Sequence, residues 1–317
     1  MNEFEFLKNL KSKYSLDHIG DDCAILPLDD EYDLLLTSDM LVENVDFRME
    51  WAVPEFVGHK ALAVSLSDVA AMGGTPKWAM LSIGIPDHLW DGGFLDDFYK
   101  GWFALARKYD VELVGGDISR VPGELVIDST VEGEVPRGKA FLRSAARPGD
   151  LICVSGDLGG AAGGLKLLES GLRHSSDLNE DTSQIIHKQL EPRPELALAN
   201  SLQQLGIVSS AIDLSDGLSS DLQHICVQSS VGAVIDSEKI PIDNRLTAHF
   251  PPEECLEMAL NGGEDFRLLF TAAPDVATDL NDLGVFEIGE ITAETGQVLL
   301  KTGGTTVPLQ AKGFRHF

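Results

Sequence analysis

The sequence predicts a mixed α/β protein built as two domains, and three observations carry that expectation. Its 317 residues exceed the size at which a single hydrophobic core keeps growing, so two domains are the default. Short apolar runs suited to strands alternate with longer segments of helical composition along the chain. A Pro148-Gly149-Asp150 turn interrupts RSAARPGDLICVSG where the pattern changes register. The boundary is placed there, giving domains of residues 1–148 and 149–317.

In the first domain, DLLL at 33–36 is expected to form a strand that ends in a polar loop at Thr37, Ser38 and Asp39. Residues 53–76, VPEFVGHKALAVSLSDVAAMGGTP, read as a helix: Pro54 suits a first turn, and Gly73, Gly74 and Pro76 suit a stop. Val57, Ala61, Val64 and Ala71 lie near one face of it, and its alanines and serines would let another backbone come close. A second helix is expected over 94–110, FLDDFYKGWFALARKYD, feeding VELVGGD, a strand whose end carries Gly115, Gly116 and Asp117. LVIDSTVEGEV alternates as a half-buried strand does. In the second domain, SGDLGGAAGGLKLLESG reads as a glycine loop entering a helix, and 174–183 as a polar surface loop. IDLSDGLSSDLQHICVQSS reads as strand, acidic turn and helix; LNGGEDFRLLF reads as a glycine–acid turn before a strand.

Composition narrows the function classes. Apolar residues at 44% and charged ones at 24% describe an ordinary globular chain. Twenty-four basic against 51 acidic residues give a formal net charge of −27, which repels nucleic acid and anionic lipid and argues against both as partners. The N-terminal MNEFEFLKNLKSKYSLDH carries charges throughout, unlike a signal peptide, and no apolar run reaches the roughly 18 residues of a spanning helix. Cys23, Cys153, Cys226 and Cys255 are far apart and form no C-x-x-C pair, which suits reduced, buried thiols and a cytoplasmic protein.

The chemistry-bearing feature is a set of acidic turns: GDD at 20–22, TSD at 37–39, SLSD at 65–68, GGD at 115–117, DLSD at 213–216 and GGED at 262–265. Carboxylates with hydroxyls are hard oxygen ligands, matched to Mg²⁺ rather than zinc or copper. Such ions would also turn an acidic cleft into a receptor for phosphates. The alternative for each turn is plain turn chemistry, since Asp, Ser and Gly satisfy turn backbones. Asp68 differs, because it lies among Ala, Val, Leu and Ser within a helix, where an unpartnered charge is costly. The glycine loop at 156–164 lacks the G-K-S/T of a phosphate loop and the spacing of G-x-G-x-x-G. DLSDGL lacks EF-hand spacing, and no G-x-S-x-G occurs.

Taken in order, IGDDCAIL, TSDMLVENVDF, KALAVSLSDVAAMGGTP, LVGGD, RSAARPGD, AIDLSDGLSSDL, NGGEDF and the terminal KGFRHF resemble the thiamine-monophosphate kinases of the aminoimidazole ribonucleotide synthetase superfamily. The likeness spans nearly the whole chain, and the combination is specific although no single motif is. It implies transfer of the γ-phosphate of ATP to thiamine monophosphate, with several Mg²⁺ ions. It implies metal ligation by Asp22, Thr37, Ser38, Asp39, Asp68, Asp117, Asp213 and Asp216, and nucleotide contacts from Tyr99, Gly116, Asp117, Arg143 and Ser215. Asp213, Asp216 and Arg143 would be catalytic; Asp46, Glu264 and Phe314 would lie at the thiamine end. The family fold implies a homodimer whose amino-terminal sheets form a barrel spanning both subunits. One position departs from a frequent family form: Asp46 stands before Phe47 where many members have histidine. Two other readings fit the same residues: another ATP-using enzyme of the superfamily and an idle nucleotide- or cation-binding module.

Overall fold

The apolar runs assemble into two sheets, described by a computed structural model over residues 3–175, 177–276, 280 and 283–314. Of the terminal KGFRHF, residues 315–317 lie outside the described residues. The first layer comprises α1 (Glu3–Tyr14), β1 (Ala24–Pro27), β2 (Tyr32–Val42), α2 (Pro54–Ala71), β3 (Thr75–Ile85), α3 (Asp87–Trp90), α4 (Phe94–Tyr109), β4 (Glu112–Arg120) and β5 (Val126–Pro136). Its strands form one sheet in the order β1-β2-β5-β3-β4. Only the β3–β4 pair is parallel in that sheet, and α4 forms its crossover.

The second layer comprises β6 (Leu151–Val154), α5 (Gly160–Glu169), α6 (Glu180–Leu190), α7 (Leu196–Leu205), β7 (Val208–Asp213), α8 (Leu218–Ser229), β8 (Gly232–Asp236), α9 (Pro252–Asn261), β9 (Leu268–Ala272), β10 (Phe286–Thr292), β11 (Val298–Thr302) and β12 (Thr305–Pro308). They build a seven-stranded sheet in the order β12-β11-β8-β10-β6-β9-β7. The Pro148–Asp150 turn thus lies between the last strand of one sheet and the first strand of the other.

Helix α2 is buried on nearly all sides rather than along the one face its pattern suggests; Ala61, Leu62, Leu66, Val69 and Ala70 are all fully buried. It packs against β2 and β5 on one side, α4 on another, and β7 and α7 of the second domain on a third. Its small residues make this possible. A Cβ on Gly58 would sit 1.9 Å from the Phe98 carbonyl oxygen, and one on Gly101 would sit 1.9 Å from that of Glu55, so α2 and α4 cross backbone to backbone. Trp102 and Phe98 of α4 fill the core beside that crossing.

Strand β2 does not stop at Leu36. It pairs with β5 without a break from Tyr32↔Pro136 to Val42↔Val126, so Thr37, Ser38 and Asp39 lie within the strand and not in a loop. Strand β4 likewise continues through Gly115, Gly116 and Asp117 to Arg120. The polar residues are tolerated there because the inward ones find partners on α2. Successive side chains then point to opposite faces, and this period of two divides the predicted ligands.

Candidate active site

Three carboxylates meet where α2, the 20–23 turn and the end of β7 come together. Asp22, Asp68 and Asp213 each offer an oxygen lying within 4.8 Å of the others. Ser65 and Asp68 share a face of α2 at the i, i+3 spacing, while Thr37 and Asp39 point inward from β2. Around the trio, the Thr37 hydroxyl donates to Asp68, Ser67 Oγ donates to Asp213 Oδ2 at 2.6 Å, and Ser65 Oγ donates to Asp39 Oδ2 at 2.7 Å. Arg143, in a single 3-10 turn over Arg143–Ala145, pairs with Asp22 Oδ1. The other oxygen, Asp22 Oδ2, is buried and, among the described residues, accepts no hydrogen bond.

Burial is the first cause of the group's electrostatics. It pushes the Asp213 carboxyl up to about 8, with Asp22 adding repulsion, and Asp39 up to about 6, with Asp128 and Asp22 adding. Asp68 is driven well above the ordinary carboxylate range by burial and then by Asp39, Asp213 and Asp22. Asp22 is also raised by burial, although Arg143 opposes it. Acids this close cannot all ionise without a counter-charge. The donor set consists of hard oxygens and includes one orphaned buried oxygen, which fits a divalent cation of the Mg²⁺ type.

Ser38 and Asp117 occupy the other face of the sheet. Ser38 Oγ lies 3.2 Å from both Asp128 Oδ2 and Thr130 Oγ1, and Asp117 Oδ2 accepts from Ser119 Oγ at 2.9 Å. Asp117 and Asp128 flank Ser82 in register. The structure therefore brings Asp22, Thr37, Asp39, Asp68, Asp213 and Arg143 together but does not bring Ser38 or Asp117 to them. Gly116, one residue before Asp117, has φ +146, and a Cβ there would meet the Leu81 carbonyl oxygen at 1.9 Å, so only glycine lets β4 lie against β3 at this point.

A cleft of about 630 Å³ opens beside the acids, with Asp39, Asp46, Ser215, Asp216, Glu264 and Phe314 in its wall. Asp46 Oδ2 accepts the Val42 N–H at 2.8 Å, tying down its own turn. Phe314 is half-exposed and its N–H donates to the Asp216 carbonyl at 3.1 Å, so the C-terminal segment docks on the DLSD turn. Glu264 has φ +67 and is held by Lys60 and Gln189. Its neighbour Asp265 faces elsewhere: it accepts the Gly159 and Ala161 N–H groups at 2.6 and 3.0 Å, capping α5. Tyr99 is apart from the cleft, on α4, with its ring 5.5 Å from Phe98 and 6.0 Å from Phe103.

Sequence reasoning passed over Ser65, Ser67, Lys60, Gln189 and Asp128. The serines stood inside SLSD, and their spacing around Asp68 was the available signal. Lys60 offered one too, as the lone lysine in an otherwise largely apolar helix. Gln189 offered none, because α6 meets the cleft only through the fold.

Family models place the chain in context. Residues 20–135 match the AIR synthase related protein, N-terminal domain, and 147–301 match the AIR synthase related protein, C-terminal domain. Thiamine-monophosphate kinase of Escherichia coli strain K12 is 40% identical over 307 residues, covering 94% of this chain and 91% of that protein. The solved structure of AaThiL complexed with AMPPCP and TMP superposes with a TM-score of 0.89 at 34% identity, covering 100% of this chain and 97% of that one. The thiamine-monophosphate kinase from Stenotrophomonas maltophilia K279a gives a TM-score of 0.81 at 35% identity, covering 96% and 98%. With that extent of identity over both domains, the chain belongs to the thiamine-monophosphate kinase family.

Proposed function

We propose that this chain transfers the γ-phosphate of ATP to thiamine monophosphate, giving thiamine diphosphate and ADP. The observation that carries the reading is the convergence of Asp22, Asp39, Asp68 and Asp213 beside a cleft walled by Asp46, Glu264 and Phe314. An oxygen of the acceptor phosphate attacks the γ-phosphorus, forming one P–O bond as the bond to the β–γ bridging oxygen breaks. That oxygen is anionic near neutral pH, so no strong base is needed, in keeping with phosphoryl transfer as a problem of placement and charge. The transfer is direct, with no phosphoenzyme.

Mg²⁺ ions held by Asp22, Thr37, Asp39, Asp68, Asp213 and Asp216, and at the outer face by Ser38 and Asp117, would supply charge neutralisation to the phosphates. Arg143, locked to Asp22, adds a fixed positive charge at the same place. Ser65, Ser67 and Thr37 hold the carboxylates in orientation, so little rearrangement accompanies reaction. Ser215, Gly116, Asp117 and Tyr99 are assigned to ATP, and Glu264, Asp46 and Phe314 to the thiamine ring system. The division at residue 148 then separates a unit carrying most of the metal ligands from one completing the nucleotide and substrate site.

The outward face of the five-stranded sheet exposes Met40, Trp78 and Met80, an apolar surface suited to a second copy of the chain. We assign it to a homodimer that closes the two sheets into a barrel and covers the Asp117 and Asp128 face. A sedimentation mass near 34.3 kDa, the single chain's, would count against this. Four buried free thiols suit a cytoplasmic setting. Among the described residues, no helix is long and apolar enough to cross a membrane.

Among other ATP-using enzymes of the superfamily, one working through a reactive cysteine is disfavoured at Cys23. Burial, then Asp68 and Asp22, push that thiol well above its usual range, leaving it protonated. Incubation with γ-labelled ATP, Mg²⁺ and thiamine monophosphate tests the whole reading. Label is expected in thiamine diphosphate and not on the protein. Nucleotide binding without product would favour the idle module, and labelled protein during turnover would overturn direct transfer.

A further inference from the structure

Lys60 sits in the first half of α2 with 3% of its surface exposed. Its ammonium donates to two walls of the cleft, the Asp46 carbonyl oxygen at 3.1 Å and Glu264 Oε1 at 2.5 Å. Those walls come from different domains. Asp46 belongs to the turn between β2 and α2, and Glu264 to the turn between α9 and β9. The second Glu264 oxygen accepts from Gln189 of α6, so both oxygens are held by named donors. Glu264 at φ +67 and Phe266 at φ +47 adopt left-handed backbone that side-chain-bearing residues rarely take. Such conformations persist where surrounding contacts over-determine them. A buried lysine is itself costly unless paired, so the Lys60–Glu264 contact satisfies two otherwise unfavourable groups at once.

We propose that Lys60 is a positioning residue for the acceptor: one ammonium fixes the Asp46 turn against the Glu264 turn and so sets the width of the thiamine end of the cleft. This rests on the kinase reading above. Lys60 acts through its two partners on the ring system, and it leaves the nucleotide end, organised by Asp22, Asp68, Asp213 and Arg143, to its own contacts. The competing role is a direct contact to the acceptor's phosphate, which would require Lys60 to release Glu264.

The experiment uses the full chain as Lys60→Met, Glu264→Gln and the double variant. The double variant leaves no unpaired buried charge should Lys60→Met alone fail to fold. Steady-state KM is measured for thiamine monophosphate and for ATP, and Trp51, in the cleft wall, reports the binding of thiamine monophosphate and of unphosphorylated thiamine without nucleotide. Lys60→Met is expected to raise KM for thiamine monophosphate about 10- to 100-fold, with KM for ATP within about twofold. Binding of both thiamine probes should weaken together. The double variant should be little worse than the worse single one, because both changes remove one tie. Weakened binding of the phosphorylated probe alone would overturn the proposal in favour of a phosphate contact. Equal damage to both KM values, or a lowered melting temperature with KM unchanged, would reduce Lys60 to a structural ion pair. Absence of turnover in the unmodified chain would be a failure of the kinase reading, and thiamine binding would still report on Lys60.

Discussion

Asp213→Asn is expected to cut turnover by about a thousandfold or more while raising the melting temperature of the metal-free protein. The two effects have one cause. Asp213 is 1% exposed at the end of β7, and burial, with Asp22 beside it, holds its carboxyl up to about 8. The fold therefore works against the charge that cation binding needs. Asparagine keeps the shape and can still accept from Ser67 Oγ, which now reaches Asp213 Oδ2 at 2.6 Å. It removes an acid that is ionised in the unfolded chain near neutral pH but must take up a proton to be buried here, so the metal-free fold should gain, by about a few degrees. Turnover falls because a neutral amide is a poor ligand for a hard divalent cation. Calorimetry in chelator and kcat at saturating substrates check both halves. Turnover within tenfold of the unmodified chain, or a lower melting temperature, would contradict the account.

The second large effect is a stability that depends on pH in the direction opposite to that of salt-bridged acids. Asp39 and Asp213 have folded-state values of about 6 and about 8, above those of an unfolded chain, and Asp68 is raised too. Between the unfolded and folded values the native state binds more protons than the denatured state, so stability falls as pH rises. The contribution is present in full below about 4 and is lost progressively as pH passes 6 and then 8. The formal charge of −27 adds a similar trend through surface repulsion, but monovalent salt screens that part and leaves the buried cluster largely untouched. In chelator and high salt, the melting temperature should decline from pH 5 to pH 9. Mg²⁺ should restore it at pH 8 and do little at pH 5, where protons hold the ligands. A melting temperature that climbs with pH in chelator would sink this explanation.

Helices α2 and α4, the β7–turn–α8 unit and the strand over 126–136 were legible because each carries its own period and its own stop signals. The course of β2 and β4 was not. Thr37-Ser38-Asp39 and Gly115-Gly116-Asp117 have turn composition, and only pairing with β5 and β3 keeps them extended. That tertiary override matters for the site. Because the strands continue, alternation sends Thr37 and Asp39 toward α2 while Ser38 goes to the face that also bears Asp117. The residue types of the metal site could be read from sequence, but their division between two faces could not. The full burial of α2 was hidden for a related reason: its alanines and serines mark close packing without saying how many neighbours share it.

The thiamine end was the least legible. Lys60, Gln189 and Glu264 come from segments separated by scores of residues, and their convergence depends on how α2, α6 and the turn before β9 dock. Asp265 shows the converse. It belongs to the same acidic turn as Glu264, yet caps α5, so motif membership alone did not decide its role.

Anomalous diffraction from crystals grown with Mn²⁺ in place of Mg²⁺ and a non-hydrolysable ATP analogue tests the central claim most directly. Manganese is expected between Asp22, Asp68 and Asp213, with its remaining ligands drawn from the nucleotide's phosphates. Nucleotide bound elsewhere with those three carboxylates free of metal would contradict it.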